Sequence, residues 1–254
     1  MDPRQLKRWI RALWLTGAAA VLATAAAAWW LGDQHTRNHR DNGPVFGDVL
    51  VSGDGRTITT TAMWTPCHAQ RPQLRAHESP EMVTLVIRES TANLQQQCDS
   101  ADQQITTTIA SPLGSRPLID ASTGRTITPF DGSELATPRY LPVGYEPSEE
   151  IYDEPPDERC LPSPFERAES ASWSRFYRKG FGHPSLAVAQ IAKETPDDPR
   201  GAIASVDGHT AHLQEHSASR CLTWSSDTYT YVVATRSAQL TTDELLRIAK
   251  RLSR

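Results

Sequence analysis

The sequence predicts a transmembrane helix near the N-terminus, followed by an all-β, sandwich-like domain and then an α+β domain. Three observations carry that prediction. Residues 12–32 are apolar and uncharged, residues 45–130 hold short β-rich runs with no helical period, and the last hundred residues hold further strands closed by one amphipathic helix.

At about 1.5 Å rise per residue, the 21 residues of 12–32 span roughly the hydrocarbon core of a bilayer. Arg4, Lys7, Arg8 and Arg11 precede them, opposed only by Asp2. Positive flanks stay cytoplasmic, which leaves residues 1–11 inside and everything beyond residue 32 outside, in a single pass. Trp9 and Trp14 at one end and Trp29 and Trp30 at the other suit the headgroup layers. Ala25, Ala26, Ala27 and Ala28 supply the small residues a signal peptidase reads. The length of the run and the Trp29–Trp30 pair favour an anchor that is retained. Thr16, Ala20, Thr24 and Ala28 form a small-residue ridge of the kind that lets helices approach closely, or simply reflect an alanine-rich segment.

The chain's formal charge is −4, and because residues 1–11 carry +3 the remainder carries −7. A mildly acidic exterior argues against nucleic acid as a partner, since phosphate binding needs a basic footprint. The four cysteines, Cys67, Cys98, Cys160 and Cys221, all follow the anchor, and an even number in an exported chain favours disulfides. Three pairings are possible. A proline- and acid-rich stretch divides the cysteines two and two, which favours Cys67–Cys98 and Cys160–Cys221.

Residues 33–44 are polar with a Gly-Pro break and are expected to be a tether. Strands are expected at 45–51, 56–64, 74–78, 82–88 and 103–110, with a turn at 52–55. Short strands at this spacing indicate a sandwich or a partly open barrel. The pentapeptide Gly-Arg-Thr-Ile-Thr occurs at 55–59 and again at 124–128. The flanks do not repeat, so the pentapeptides are expected to be two similar turns leading into strands. Residues 131–159 are expected to be a linker. Within it, 141–158 carries seven carboxylates, no basic residue and prolines at 142, 147, 155 and 156, a pattern that favours a solvated, extended chain over a calcium site.

Residues 160–254 form the α+β domain. Strands are expected at 172–178, 186–193, 210–213, 221–225 and 229–235, with a turn at Gly208. Thr241 followed three residues later by Glu244 is a capping-box pattern. Leu245, Ile248, Ala249 and Leu252 then fall at helical spacing. Strands followed by a docking helix make an α+β domain.

Pro112-Leu113-Gly114-Ser115-Arg116-Pro117-Leu118-Ile119-Asp120, continuing to Ser122-Thr123-Gly124, is similar to a segment of uncharacterised membrane-anchored proteins of high-GC Gram-positive bacteria. The C-terminal part resembles the extracytoplasmic domain of some anti-sigma regulators and lipoprotein-carrier-like proteins. The resemblance rests on Leu141 to Tyr145, Leu222 to Trp224, and the closing Asp243-Glu244-Leu245-Leu246-Arg247-Ile248-Ala249. It implies a half-open antiparallel sheet with helical cover, and it brings no catalytic residues. Residues 1–11 are too short to form a sigma-binding domain.

His209, His212 and His216 are the nearest approach to a metal set, because on a helix their spacing would align three imidazoles. On a strand, positions 209 and 212 face opposite ways, and exposed hairpin histidines are the favoured outcome. His35 and His39 in the tether, and His68 beside Cys67, carry less weight. No Gly-x-Ser-x-Gly, His-Glu-x-x-His or phosphate-binding glycine loop is present. No catalytic residue, cofactor or metal is therefore expected. Trp64, Trp173 and Trp224 are expected in cores. The sequence points to a non-enzymatic envelope protein binding an envelope protein, a peptide or a small apolar, lipid-like ligand, with the concave side of the second sheet as a candidate seat. A membrane sensor accessory signalling through its helix, and a metal-binding protein or hydrolase using the histidines, are the alternatives.

Overall fold

The computed structural model describes residues 39–45, 48–64, 71–90, 101–152, 160, 170–180, 184–192, 202–215, 219–237 and 239–253. The expected transmembrane helix at 12–32 lies outside the described residues, as do Cys67, Cys98, His35, His68 and His216. Among the described residues no helix is long and apolar enough to cross a membrane.

The first body is a β-sandwich. One sheet runs β12 (Glu150–Tyr152), β6 (Ala101–Thr108), β3 (Thr57–Trp64), β2 (Val49–Val51), β9 (Phe130–Asp131). The other is built around β5 (Val83–Ser90), with β4 (Gln73–Glu78) on one side. The far side of β5 is shared by β7 (Leu118–Asp120) and β1 (His39–Gly43), and β8 (Thr126–Ile127) continues from β7. Strict alternation buries Val83, Leu85 and Ile87 from β5 and Ile58 and Ala62 from β3. These side chains meet Val49, Leu74, Ile105 and Leu118 in one apolar core between the sheets. The pairs β5–β7 and β2–β9 are parallel, and the remaining pairs of the sandwich are antiparallel.

The expected tether is corrected at its end. His39–Gly43 is strand β1, paired with Ile87 to Ser90. Polar composition gave no strand signal there, but β7 reaches only as far as Leu85. The rest of that edge of β5 would otherwise leave backbone groups open.

The repeated pentapeptides behave as expected. Gly55 (φ +71°) and Gly124 (φ +70°) each turn the chain into a strand, β3 and β8. In both, the residue before the glycine accepts the amide of the residue after it. Arg56 N donates to Asp54 Oδ1 at 3.0 Å, and Arg125 N donates to Thr123 Oγ1 at 3.3 Å.

The second body is a seven-stranded antiparallel sheet in the order β11 (Tyr145–Ser148), β13 (Ser172–Lys179), β14 (Pro184–Ala192), β18 (Tyr229–Thr235), β17 (Arg220–Ser225), β16 (His209–Glu215), β15 (Ala202–Val206). One face packs Leu186, Val188, Leu222, Trp224, Tyr231 and Val233 against helix α1 (Thr242–Ala249). The capping box is complete: Glu244 N donates to Thr241 Oγ1 at 3.3 Å, and Thr241 N donates to Glu244 Oε2 at 2.9 Å. Leu245, Ile248 and Ala249 are buried. Leu252, expected on the helix face, belongs instead to β19 (Leu252–Ser253), paired with β10 (Thr137–Pro138). On the opposite sheet face Ala189, Ile191, Val232 and Ala234 are buried with Cys160 packed against them, and Cys160 is disulfide-bonded to Cys221.

The expected linker differs most from its forecast. Over 131–152 the chain is built into both bodies: β10 meets the C-terminal strand, β11 is the edge of the seven-stranded sheet, and β12 is the edge of the sandwich. Its prolines do not prevent this. Pro147 lies on an edge strand, where a missing donor is tolerated. Pro142 opens a turn closed by Tyr145 N to Pro142 O at 3.1 Å, with Gly144 at φ +85°. Glu146 is paired with Arg178 at 3.1 Å across β11 and β13.

Candidate binding cleft

The outward positions of the sandwich's β3 carry no charge, and those of β6 carry only Asp102, near its start. Thr57, Thr59 and Thr61 alternate with the buried side chains of β3, and Gln104 and Thr106 do so on β6. The seven-stranded sheet faces part of this surface. Trp173, Arg175 and Tyr177 alternate along β13 and share one side of it. Between the two lies a cleft of about 470 Å³, lined from the sandwich by Leu50, Thr59, Gln104 and Thr106. The other wall is Thr137, Pro138, Leu141, Pro147, Ser148, Glu149, Trp173, Arg175, Phe176 and Tyr177.

Polar contacts fix the two walls against each other. Gln190, 2% exposed, accepts from Ala136 N at 2.8 Å and donates to Glu134 O at 3.0 Å. Ser172 Oγ donates to Asp48 Oδ1. Gln104 N donates to Glu149 O at 3.1 Å, and the Phe130 and Tyr229 rings meet at 5.5 Å. Phe130 belongs to the sandwich and Tyr229 to the second sheet, so the bodies share apolar as well as polar contact.

Inside the cleft most hydroxyls are engaged. Thr59 and Thr106 bond each other at 3.2 Å, and Arg175 Nη1 donates to Thr137 Oγ1 at 2.7 Å. Burial pushes the Tyr177 phenol above its ordinary value of 10.0, an effect the neighbouring Arg175 guanidinium partly offsets. The cleft therefore offers aromatic and aliphatic walls, one half-buried cation, and Glu149 exposed to solvent.

The residues singled out from the sequence fall elsewhere. His209 and His212 lie on β16, after a hairpin turn at Asp207 (φ 49°) and Gly208 (φ 84°), both with the positive φ of a type I′ turn. Three residues apart on a strand, they face opposite sides. His209 is exposed, and among the described residues no group of His, Cys, Asp and Glu could hold a metal. The Cys160–Cys221 bond has the expected pairing, with Cα atoms 5.8 Å apart; the Cys67–Cys98 pair lies outside the described residues. Trp173 is 3% exposed yet lines the cleft, and Trp224 stacks on Tyr231 at 5.2 Å in the core.

The Pro112 to Gly124 segment forms the sandwich's end rather than the cleft. Arg116 reaches Leu113 O, Ser79 O, Ser111 O, Pro112 O and Glu78 Oε2. Asp120, 2% exposed, accepts from Ser122 N, Ser122 Oγ and Thr123 Oγ1. These contacts give the segment a structural reason for its residues.

Sequence reasoning placed the candidate seat on the concave side of the second sheet and missed the cleft between the bodies. The sequence signal was faint: the outer face of β3 is uncharged and that of β6 carries only Asp102, a pattern also met on polar strand faces left in water. No family model matches the chain, and no curated protein matches it.

Proposed function

We propose that this is a non-enzymatic, extracytoplasmic binding protein, held to the cell membrane by residues 12–32, whose ligand enters the cleft between the sandwich and the seven-stranded sheet. The observation that carries the reading is the cleft itself. Its volume falls within the range of small-molecule sites, its walls are mainly apolar and aromatic, and a few polar groups converge on it. The exterior location is supported by the charge-flanked apolar segment and by the Cys160–Cys221 bond, which suits an oxidising compartment. The resemblance of the C-terminal part to extracytoplasmic domains points the same way.

Native mass spectrometry of the full chain, purified from envelope membranes, tests the reading. One small-molecule adduct per chain is expected, and Thr106→Trp, which fills the cleft from an outward position, should remove it. A chain without adduct, or an adduct indifferent to Thr106→Trp, would contradict it.

A further inference from the structure

Arg175 is the chemical centre of the cleft. It is half-buried, its Nη1 is fixed on Thr137 Oγ1 at 2.7 Å, and the Tyr177 hydroxyl lies beside it. Among the described residues no carboxylate pairs with it, and the exposed Glu149 is the acidic residue of the same lining. A half-buried guanidinium beside Trp173, Pro138 and Leu141, with no carboxylate paired to it, forgoes part of its hydration. An anion supplied by a ligand would restore what is missing, and a guanidinium is suited to carboxylate or phosphate oxygens.

The rest of the lining specifies what that anion is attached to. Thr59 and Thr106 satisfy each other, and Thr137 is taken by Arg175. The Gln104 amide and the exposed Glu149 remain as polar partners, fewer than the several amides a peptide backbone would bring, and each amide buried unpaired carries a cost. An acyl chain makes no such demand. We infer that the cleft takes a single-chain amphiphile with one anionic head group, carboxylate or phosphate, anchored on Arg175 with its chain between Leu50 and Trp173. This rests on the reading of the cleft as the binding site.

The test uses the full chain in lipid nanodiscs and three photoreactive twelve-carbon probes: a diazirine dodecanoate, the corresponding dodecyl phosphate and the neutral dodecanol. Peptides containing Leu141 or Trp173 should be labelled by both anionic probes roughly tenfold or more above the alcohol, the scale of one charged hydrogen-bonded contact. Arg175→Gln should erase that preference and Arg175→Lys should keep most of it. The probe comparison needs no variant, so a misfolded Arg175→Gln would not obscure it. Equal labelling by the alcohol, unchanged in Arg175→Gln, would overturn the anchor while leaving the cleft as the site. Labelling that favours phosphate over carboxylate, or the reverse, identifies the head group within the inference. Competition by an apolar peptide with a free C-terminal carboxylate, stronger than by dodecanoate, would overturn the acyl chain. Absence of labelling in the cleft by any probe would overturn the inference, and the native adduct and its response to Thr106→Trp would then decide the reading separately.

Discussion

The side chain of Gln190 holds Ala136: its Oε1 accepts the buried Ala136 N–H at 2.8 Å, while its Nε2 donates to Glu134 O. Gln190 stands in the middle of the seven-stranded sheet, and Ala136 follows directly on the sandwich's last turn. One amide thus joins two backbone groups of the crossing segment to the second body. Gln190→Leu keeps the volume and strands both groups. A loss of roughly 2–4 kcal/mol is expected, from two polar groups left unpaired. Urea unfolding measures it, and a variant as stable as the parent would show the clamp to be idle.

The duplicated pentapeptide provides an internal control. Gly55 and Gly124 share the same positive φ, so Gly→Ala costs each about 1 kcal/mol of backbone strain. Their surroundings differ. A Cβ on Gly55 would approach Pro112 Cβ to 3.2 Å, while one on Gly124 meets nothing within 4 Å. Gly55→Ala should therefore lower the melting temperature more than Gly124→Ala. Equal losses would leave φ as the sole cause.

Glu78 gives the sandwich an acid limb. The Ala110 amide at 2.6 Å, then Ser111 N and Arg116, hold its carboxyl below the ordinary value of 4.5 against the opposing effect of burial. A lowered native value means the contribution is complete above the unfolded value and disappears as pH falls through the native one. Stability should therefore decline below about pH 4.5, and Glu78→Gln should flatten that part of the curve. Urea midpoints across this range, with an unchanged slope in the variant, would contradict the assignment.

The Cys160–Cys221 bond closes a loop across a sequence separation of 61. Loop-entropy arithmetic assigns such a closure about 4 kcal/mol. Cys160→Ser should lower the urea midpoint accordingly without added reductant. A midpoint within error of the parent would indicate that the loop is already constrained when the chain is unfolded.

Much of the fold was legible because alternation and capping are local. The runs at 56–64, 82–88, 172–178 and 229–235 became β3, β5, β13 and β18, and the Thr241 to Glu244 box became the start of α1. What escaped depends on partners distant in sequence. β1 is a strand because β7 leaves half of β5 uncovered, and β12 is one because β6 offers it an edge. β7, β8, β9 and β10 are two or three residues long, too short for a period to show. The cleft was hidden for a related reason. Thr59 and Thr106 read as water-facing until β13 is brought opposite them, and Arg175 is one of many arginines until β13 places it in the lining of the cleft.

Residues 145–152 are the bridge that frames the cleft, with β11 in one sheet and β12 in the other. Hydrogen exchange of the full chain measures this directly. Amides in that stretch that donate to β13 and β6 should exchange on the time scale of those strands, through openings that approach global unfolding. Exchange there as fast as in an unstructured peptide, with β6 and β13 still protected, would contradict it.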